Sequence, residues 1–135
     1  MKSVLSKSYW GPQLWESLNV ITREYPDYPT PVEKQNYKLF FQAFGDVIPC
    51  EECRKNYRKH LQKFSLEKAL ASRNTLAEFL VNIHNEVNEM KGKPIMPMEK
   101  GKRIVLGQQQ CIDYKLCVAV ALLSGFALYH VVSRP

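Results

Sequence analysis

Nowhere in these 135 residues do apolar and polar side chains alternate with a period of two over the length of a strand, which argues against a domain built on a β-sheet. Internal repeats and low-complexity stretches are also missing. Cysteine is scarce: four residues are too few to scaffold a chain of this length with disulfides. No second ligand pair stands at zinc spacing from Cys50 and Cys53, so a zinc site would have to recruit distant residues such as His60 and His84, and no metal is expected. Met1 to Ser8 is polar and basic and lacks the apolar run of a secretory signal, so the domain is expected to fold on the cytosolic side of whatever membrane holds it.

What is present is the composition of one globular domain, 45% hydrophobic and 24% charged. The net charge of +6 is spread over helical polar faces among acidic residues, without a recognised binding motif, so nucleic acid is not an expected partner.

The apolar periodicity is helical throughout. Leu14, Trp15, Leu18 and Ile21 mark a first helix over Trp10 to Glu24, with Pro12 in its first turn. Three prolines between Tyr25 and Pro31 make a loop. Tyr37, Phe40, Phe41 and Phe44 define a second helix that stops near Gly45. Pro49 introduces a third, starting at the cysteines and running through Tyr57 and Leu61. Leu76, Phe79, Leu80, Ile83 and Val87 mark a fourth, with Ser72 or Asn74 as N-cap and Gly92 and Pro94 closing it. Residues 95 to 106 suggest a short fifth helix, weakened by Pro97 and Gly101. The predicted fold class is all-α: a four-helix bundle with a short fifth helix, followed by a C-terminal apolar helix.

That last segment, residues 116–132, is apolar on every face and bracketed by Lys115 and Arg134. Its length sits at the short limit for a bilayer span, and it reads as a transmembrane anchor, with a buried last helix as the alternative. Residues 108–115 form a polar linker, and residues 1–107 the domain. A single-pass tail would tether that domain to the membrane.

Cys50-Glu51-Glu52-Cys53 is a C-x-x-C whose sulfurs share one helix face within disulfide reach. Pro49 sets Cys50 at the helix start, where free backbone N–H groups stabilise a thiolate; Arg54, Lys55, Arg58 and Lys59 favour the same form and Glu51 and Glu52 oppose it. The absence of strands around the motif excludes a thioredoxin-type module. A second constellation, His84-Asn85-Glu86-Val87-Asn88 with Lys91-Gly92-Lys93-Pro94, puts His84 and Asn88 one turn apart, where both can hydrogen-bond a planar polar ligand.

Together with Trp10-Gly11-Pro12-Gln13-Leu14-Trp15, these two motifs resemble the Erv/ALR family of FAD-linked sulfhydryl oxidases, over about residues 8 to 95. The resemblance implies FAD as cofactor and a homodimer. It makes Cys50 the sulfur that exchanges with substrate and Cys53 the one facing the flavin, and it puts Gly11, Trp15, Tyr25, His84, Asn85, Val87, Asn88 and Lys93 at the FAD site. It further implies that protein thiols, or a thioredoxin-like redox partner, are oxidised at the expense of molecular oxygen, with hydrogen peroxide as product.

The chain departs from the family pattern in several places. Asn19 replaces a common histidine, Val81 stands where many members carry the later cysteine of a structural disulfide, no cysteine lies near Lys63 for the earlier one, and an aromatic residue is missing near Ile104. Minimal members in large DNA viruses tolerate such losses, which makes a virion or host membrane a candidate location. Cys111, in the linker, reads as an unpaired thiol, a shuttle cysteine or an intersubunit bridge. Two other functional classes stay open: a membrane-tethered helical adaptor, and a zinc-stabilised module with a structural C-x-x-C.

Overall fold

The structure is a computed structural model and describes residues 6–108. The proposed anchor at 116–132, most of the linker and Cys111 lie outside the described residues. Among the described residues every regular element is a helix, and no helix is long and apolar enough to cross a membrane.

Helix α1 spans Lys7–Arg23. It begins a turn earlier than the periodicity indicates, because extended Ser6 already accepts the amides of Tyr9 and Trp10. Pro12 therefore lies inside the helix rather than in its first turn. Helix α2, Pro31–Val47, starts with a capping box: Thr30 Oγ1 accepts the Glu33 amide, and the Glu33 carboxylate accepts the Thr30 amide at 2.7 Å. Gly45 does not end this helix. It is buried within it, and a Cβ there would sit 2.7 Å from the Tyr57 ring, so the close approach of α2 to α3 requires glycine. The stop comes instead from Pro49, which forces Ile48 into an extended conformation (ψ 127°).

Helix α3 is Glu51–Lys63, and Ser65, at φ 47°, turns the chain into a one-turn helix α4, Leu66–Ala69, which the apolar pattern is too short to reveal. Helix α5, Arg73–Met90, is capped by Ser72 in a reciprocal box with Thr75. Helix α6, Met98–Val105, closes the domain despite Pro97 and Gly101: Pro97 is its N-cap, and Gly101 is buried against α5. The bundle thus has four long helices and two short ones. α5 lies centrally, meeting α1, α3, α4 and α6, while α2 packs on α3.

The core forms where the apolar stripes of these helices meet. Phe41, Leu76, Leu80 and Ile83 are sealed from solvent, each contributing about 1.5–3 kcal/mol by burial. Tyr57 Oη donates to the Phe41 carbonyl at 3.1 Å, so a buried phenol ties α3 to α2 without an orphaned polar group. Arg23 caps α6 from a distance, its Nε donating to Val105 O (2.8 Å) and its Nη2 to Ile104 O (3.1 Å), a cation on carbonyls at a helix C-terminus.

Gly101 is where α6 comes closest to α5: a Cβ would stand 2.6 Å from Val81 Cγ1 and 2.7 Å from Cγ2. Val81 is β-branched, buried and stiff at χ1. Overpacking here costs about 1–3 kcal/mol, against a gain of roughly 1 kcal/mol from replacing a helical glycine. Gly101→Ala is therefore expected to lower stability in urea denaturation, and adding Val81→Ala should relieve part of the Gly101→Ala loss. A Gly101→Ala protein as stable as its parent would show that the two helices can simply move apart.

Candidate functional site

The α2–α3 junction builds the sulfur site. Extended Ile48 and Pro49 deliver Cys50 to the N-cap of α3, where its Sγ accepts the Cys53 amide at 3.2 Å. Cys50 and Cys53 are joined in a disulfide with Cα atoms 5.2 Å apart. Arg54 staples the turn, its Nη1 donating to Ile48 O at 2.6 Å. The charges around the sulfurs are largely paired with each other. Lys55 meets Glu51 at 2.9 Å, Arg58 meets Asp46 at 2.5 Å, and Lys7 reaches Glu52 at 3.5 Å. The hydrogen bond from Lys55 holds the Glu51 carboxyl below its ordinary range.

Beside the disulfide opens a cleft of about 250 Å³, mainly apolar, between α1, α3 and α5. Trp10, Gly11, Leu14, Trp15 and Leu18 form the α1 wall; Cys53, Asn56, Tyr57 and His60 form the α3 wall; Ile83, Val87 and Met90 come from α5, with Lys7 and Lys91 at the ends of their helices. Cys53 lines this cleft and Cys50 does not. His84 joins the site through Trp15: the two rings stack with centroids 4.3 Å apart and planes within 6°.

Of the residues the sequence singles out, Cys53, Gly11, Trp15 and Val87 thus line one cleft, with Cys50 and His84 adjoining it. The others stand elsewhere. Tyr25, expected at the flavin site, is fully buried in the core: its hydroxyl donates to Leu70 O at 2.8 Å and its ring packs on Tyr37. That phenol satisfies an otherwise buried carbonyl, which fixes the loop after α1 and keeps Tyr25 from the cleft. The Asn85 side chain is also committed, exchanging two hydrogen bonds with the Met96 backbone (2.9 and 2.8 Å) and so latching the segment after α5. Asn88 caps α5 through its carbonyl, which accepts the Lys91 and Lys93 amides, and Lys93 is exposed. Asn19 reaches only Glu16, at 3.5 Å.

The sequence reading missed Asn56, Tyr57 and His60 as cleft residues. With Cys53 they fall at i, i+3, i+4 and i+7, one face of α3, and that spacing is the signal that could have found them. Among the described residues no three His, Cys, Asp or Glu side chains gather as a metal site requires.

The cleft suits a flat ligand with a polar edge. A Cβ on Gly11 would meet nothing within 4 Å, so the glycine leaves open space on the α1 wall. Two buried polar atoms of lining residues, Trp10 Nε1 and His60 Nε2, have no hydrogen-bond partner among the described residues. The first can only donate; the second can accept. An FAD ring system, apolar on its faces and polar at its rim, fits such walls.

Residues 12–105 match the Erv1 / Alr family. A protein described as a probable FAD-linked sulfhydryl oxidase of Acanthamoeba polyphaga mimivirus is 37% identical over 93 residues, covering 68% of this chain and 65% of that protein. The mitochondrial FAD-linked sulfhydryl oxidase erv1 of Schizosaccharomyces pombe is 31% identical over 85 residues, 63% of this chain and 47% of its own length. The chain thus spans about half to two thirds of these relatives. The crystal structure of the FAD-binding domain of Erv1 from Saccharomyces cerevisiae superposes with a TM-score of 0.72 over 78% of this chain and 99% of that one, a likeness of fold at 24% identity.

Burial around the cleft holds both described histidines below their ordinary pKa. For His60 desolvation leads, opposed by Glu86 and aided by Lys63 and Lys59; for His84 desolvation is joined by Lys91 and Lys93. A depressed folded pKa means that the unfolded chain takes up protons first as pH falls, so stability present above about pH 6.5 is lost below it. The melting temperature of the disulfide form is expected to drop between about pH 7.5 and pH 5.5, above the carboxylate range. The drop should shrink in a His60→Gln/His84→Gln variant, and a flat profile in the parent would refute the assignment.

Proposed function

The chain belongs to the Erv1 / Alr family, and on that footing we propose that it is an FAD-linked sulfhydryl oxidase that forms disulfides in thiol substrates through Cys50 and Cys53. The observation that carries this reading is the asymmetry of the sulfur pair: Cys53 lies on the wall of a ring-sized cleft, and Cys50 stands outside it at the helix N-cap.

That asymmetry divides the work. A substrate thiolate attacks Cys50 Sγ, the Cys50–Cys53 bond breaks, and Cys53 leaves as a thiolate carrying the electron pair. The second substrate thiol, deprotonated, then attacks the substrate sulfur of the mixed disulfide, completes the substrate's own disulfide and releases Cys50 as a thiolate. The N-terminus of α3 lowers the cost of negative charge on Cys50, whose Sγ already accepts an amide there. When bound, FAD supplies the two-electron acceptor for the reduced pair and the means of passing those electrons to molecular oxygen as hydrogen peroxide. Trp10, Gly11, Trp15 and Val87 would hold its rings, and Lys7 and Lys91 on the wall, with Lys93 outside it but near His84, would provide cations for its diphosphate.

The same reading takes protein dithiols or a thioredoxin-like redox partner as substrate, a homodimer as the working form, and segment 116–132 as a tether that leaves the domain on the cytosolic face of its membrane. The adaptor and zinc-module alternatives assign no role to an open cleft whose wall includes a disulfide sulfur.

The purified protein is expected to be yellow, with a flavin band at about 450 nm. Cys53→Ser should keep that band and lose dithiothreitol-driven oxygen uptake by at least about a hundredfold. Unchanged turnover in Cys53→Ser would overturn the assigned roles; a colourless folded protein that binds no added FAD would overturn the function.

A further inference from the structure

His60 stands on α3 seven residues after Cys53, two turns along the same face, and the two side chains line one cleft. Its residue surface is 7% exposed. Its Nε2 is buried with no hydrogen-bond partner among the described residues, whereas Nδ1 lies 3.8 Å from Glu86 Oε2. Glu86 is held in turn by Lys63, whose Nζ is 2.6 Å from Oε1. Proteins seldom leave a buried ring nitrogen unpaired, so the position calls for a partner that the described residues do not supply.

The surroundings also fix what that partner must be. Desolvation keeps the imidazole neutral against the pull of Glu86, and Lys59 and Lys63 act in the same sense as burial. A neutral imidazole has one N–H and one lone pair, and the Glu86 carboxylate attracts the N–H to Nδ1. The lone pair is then on Nε2, on a side chain of the cleft wall, and it asks for an N–H or O–H donor.

We propose that His60 is a ligand-binding residue of the cleft, its Nε2 accepting a hydrogen bond from the imide N–H that a flavin ring carries, with Glu86 as the positioning residue that sets the tautomer. This deepens the FAD reading and rests on it. Nothing in the C-x-x-C or the His84 motif assigns such a role: His60 belongs to neither, and only the α3 register brings it to the site.

The full-length flavin-free protein, titrated with FAD while protein fluorescence is followed, tests this. His60→Leu should weaken FAD binding by about tenfold or more. His60→Gln, whose amide oxygen can take the place of Nε2 as acceptor, should recover much of that loss. In wild-type protein carrying ¹⁵N-histidine, the His60 Nε2 resonance should start as a lone-pair nitrogen and shift at saturating FAD, a readout that does not depend on a variant folding. An Nε2 signal unmoved by FAD, or a folded His60→Leu protein that binds FAD as the wild type does, would make His60 a structural histidine only and leave the oxidase reading standing. A wild-type protein that takes no FAD would remove both.

Discussion

The break between α2 and α3 is the constraint on which the site depends. Pro49 denies Ile48 a helical conformation, and the extended residues that follow turn Cys50 into the first capping group of a new helix. That one event puts Cys50 at the positive end of α3 and Cys53 one turn along, facing the gap between α1 and α5. The Arg54 bond back to Ile48 and the contact of Gly45 with Tyr57 hold α3 at the angle this requires. Without a glycine at 45 the Tyr57 ring would have to move, and Tyr57 is itself part of the cleft wall.

The cleft is a place where the fold has not maximised its own stability. A hydrophobic core normally closes on itself and leaves no polar atom unpaired. Here one ring nitrogen each of Trp10 and His60 is buried and unpaired among the described residues, and a glycine occupies a helix interior where nearly any other residue would be a better helix former. These departures gather around a single cavity, as expected of residues kept for binding rather than for packing.

Much of this organisation was legible in the amino-acid order because it is local. The stripe Leu76, Phe79, Leu80, Ile83, Val87 needs only the helical period to announce α5, and Ser72 its N-cap. Pro49 and the cysteines together announce α3. What the sequence could not disclose is non-local. Gly45 and Gly101 look like helix breakers until Tyr57 and Val81 are seen packed against them. Tyr25 and Asn85 read as ligand contacts, and only the folded chain shows that their side chains are bonded to the Leu70 and Met96 backbone. His60 enters the sequence reading only as a distant residue that a zinc site could recruit, because the α3 register alone does not say which face is covered. In each case the deciding partner lies on another element or loop, and periodicity carries no information about it.

Because the bridge between Cys50 and Cys53 spans only three residues of one helix end, it fastens no element to any other. Cross-links restrict an unfolded chain more the longer the loop they close, and this loop spans a separation of only 3 residues. The scaffold therefore takes its rigidity from side-chain packing, and opening the sulfur–sulfur bond would release no helix from its neighbours.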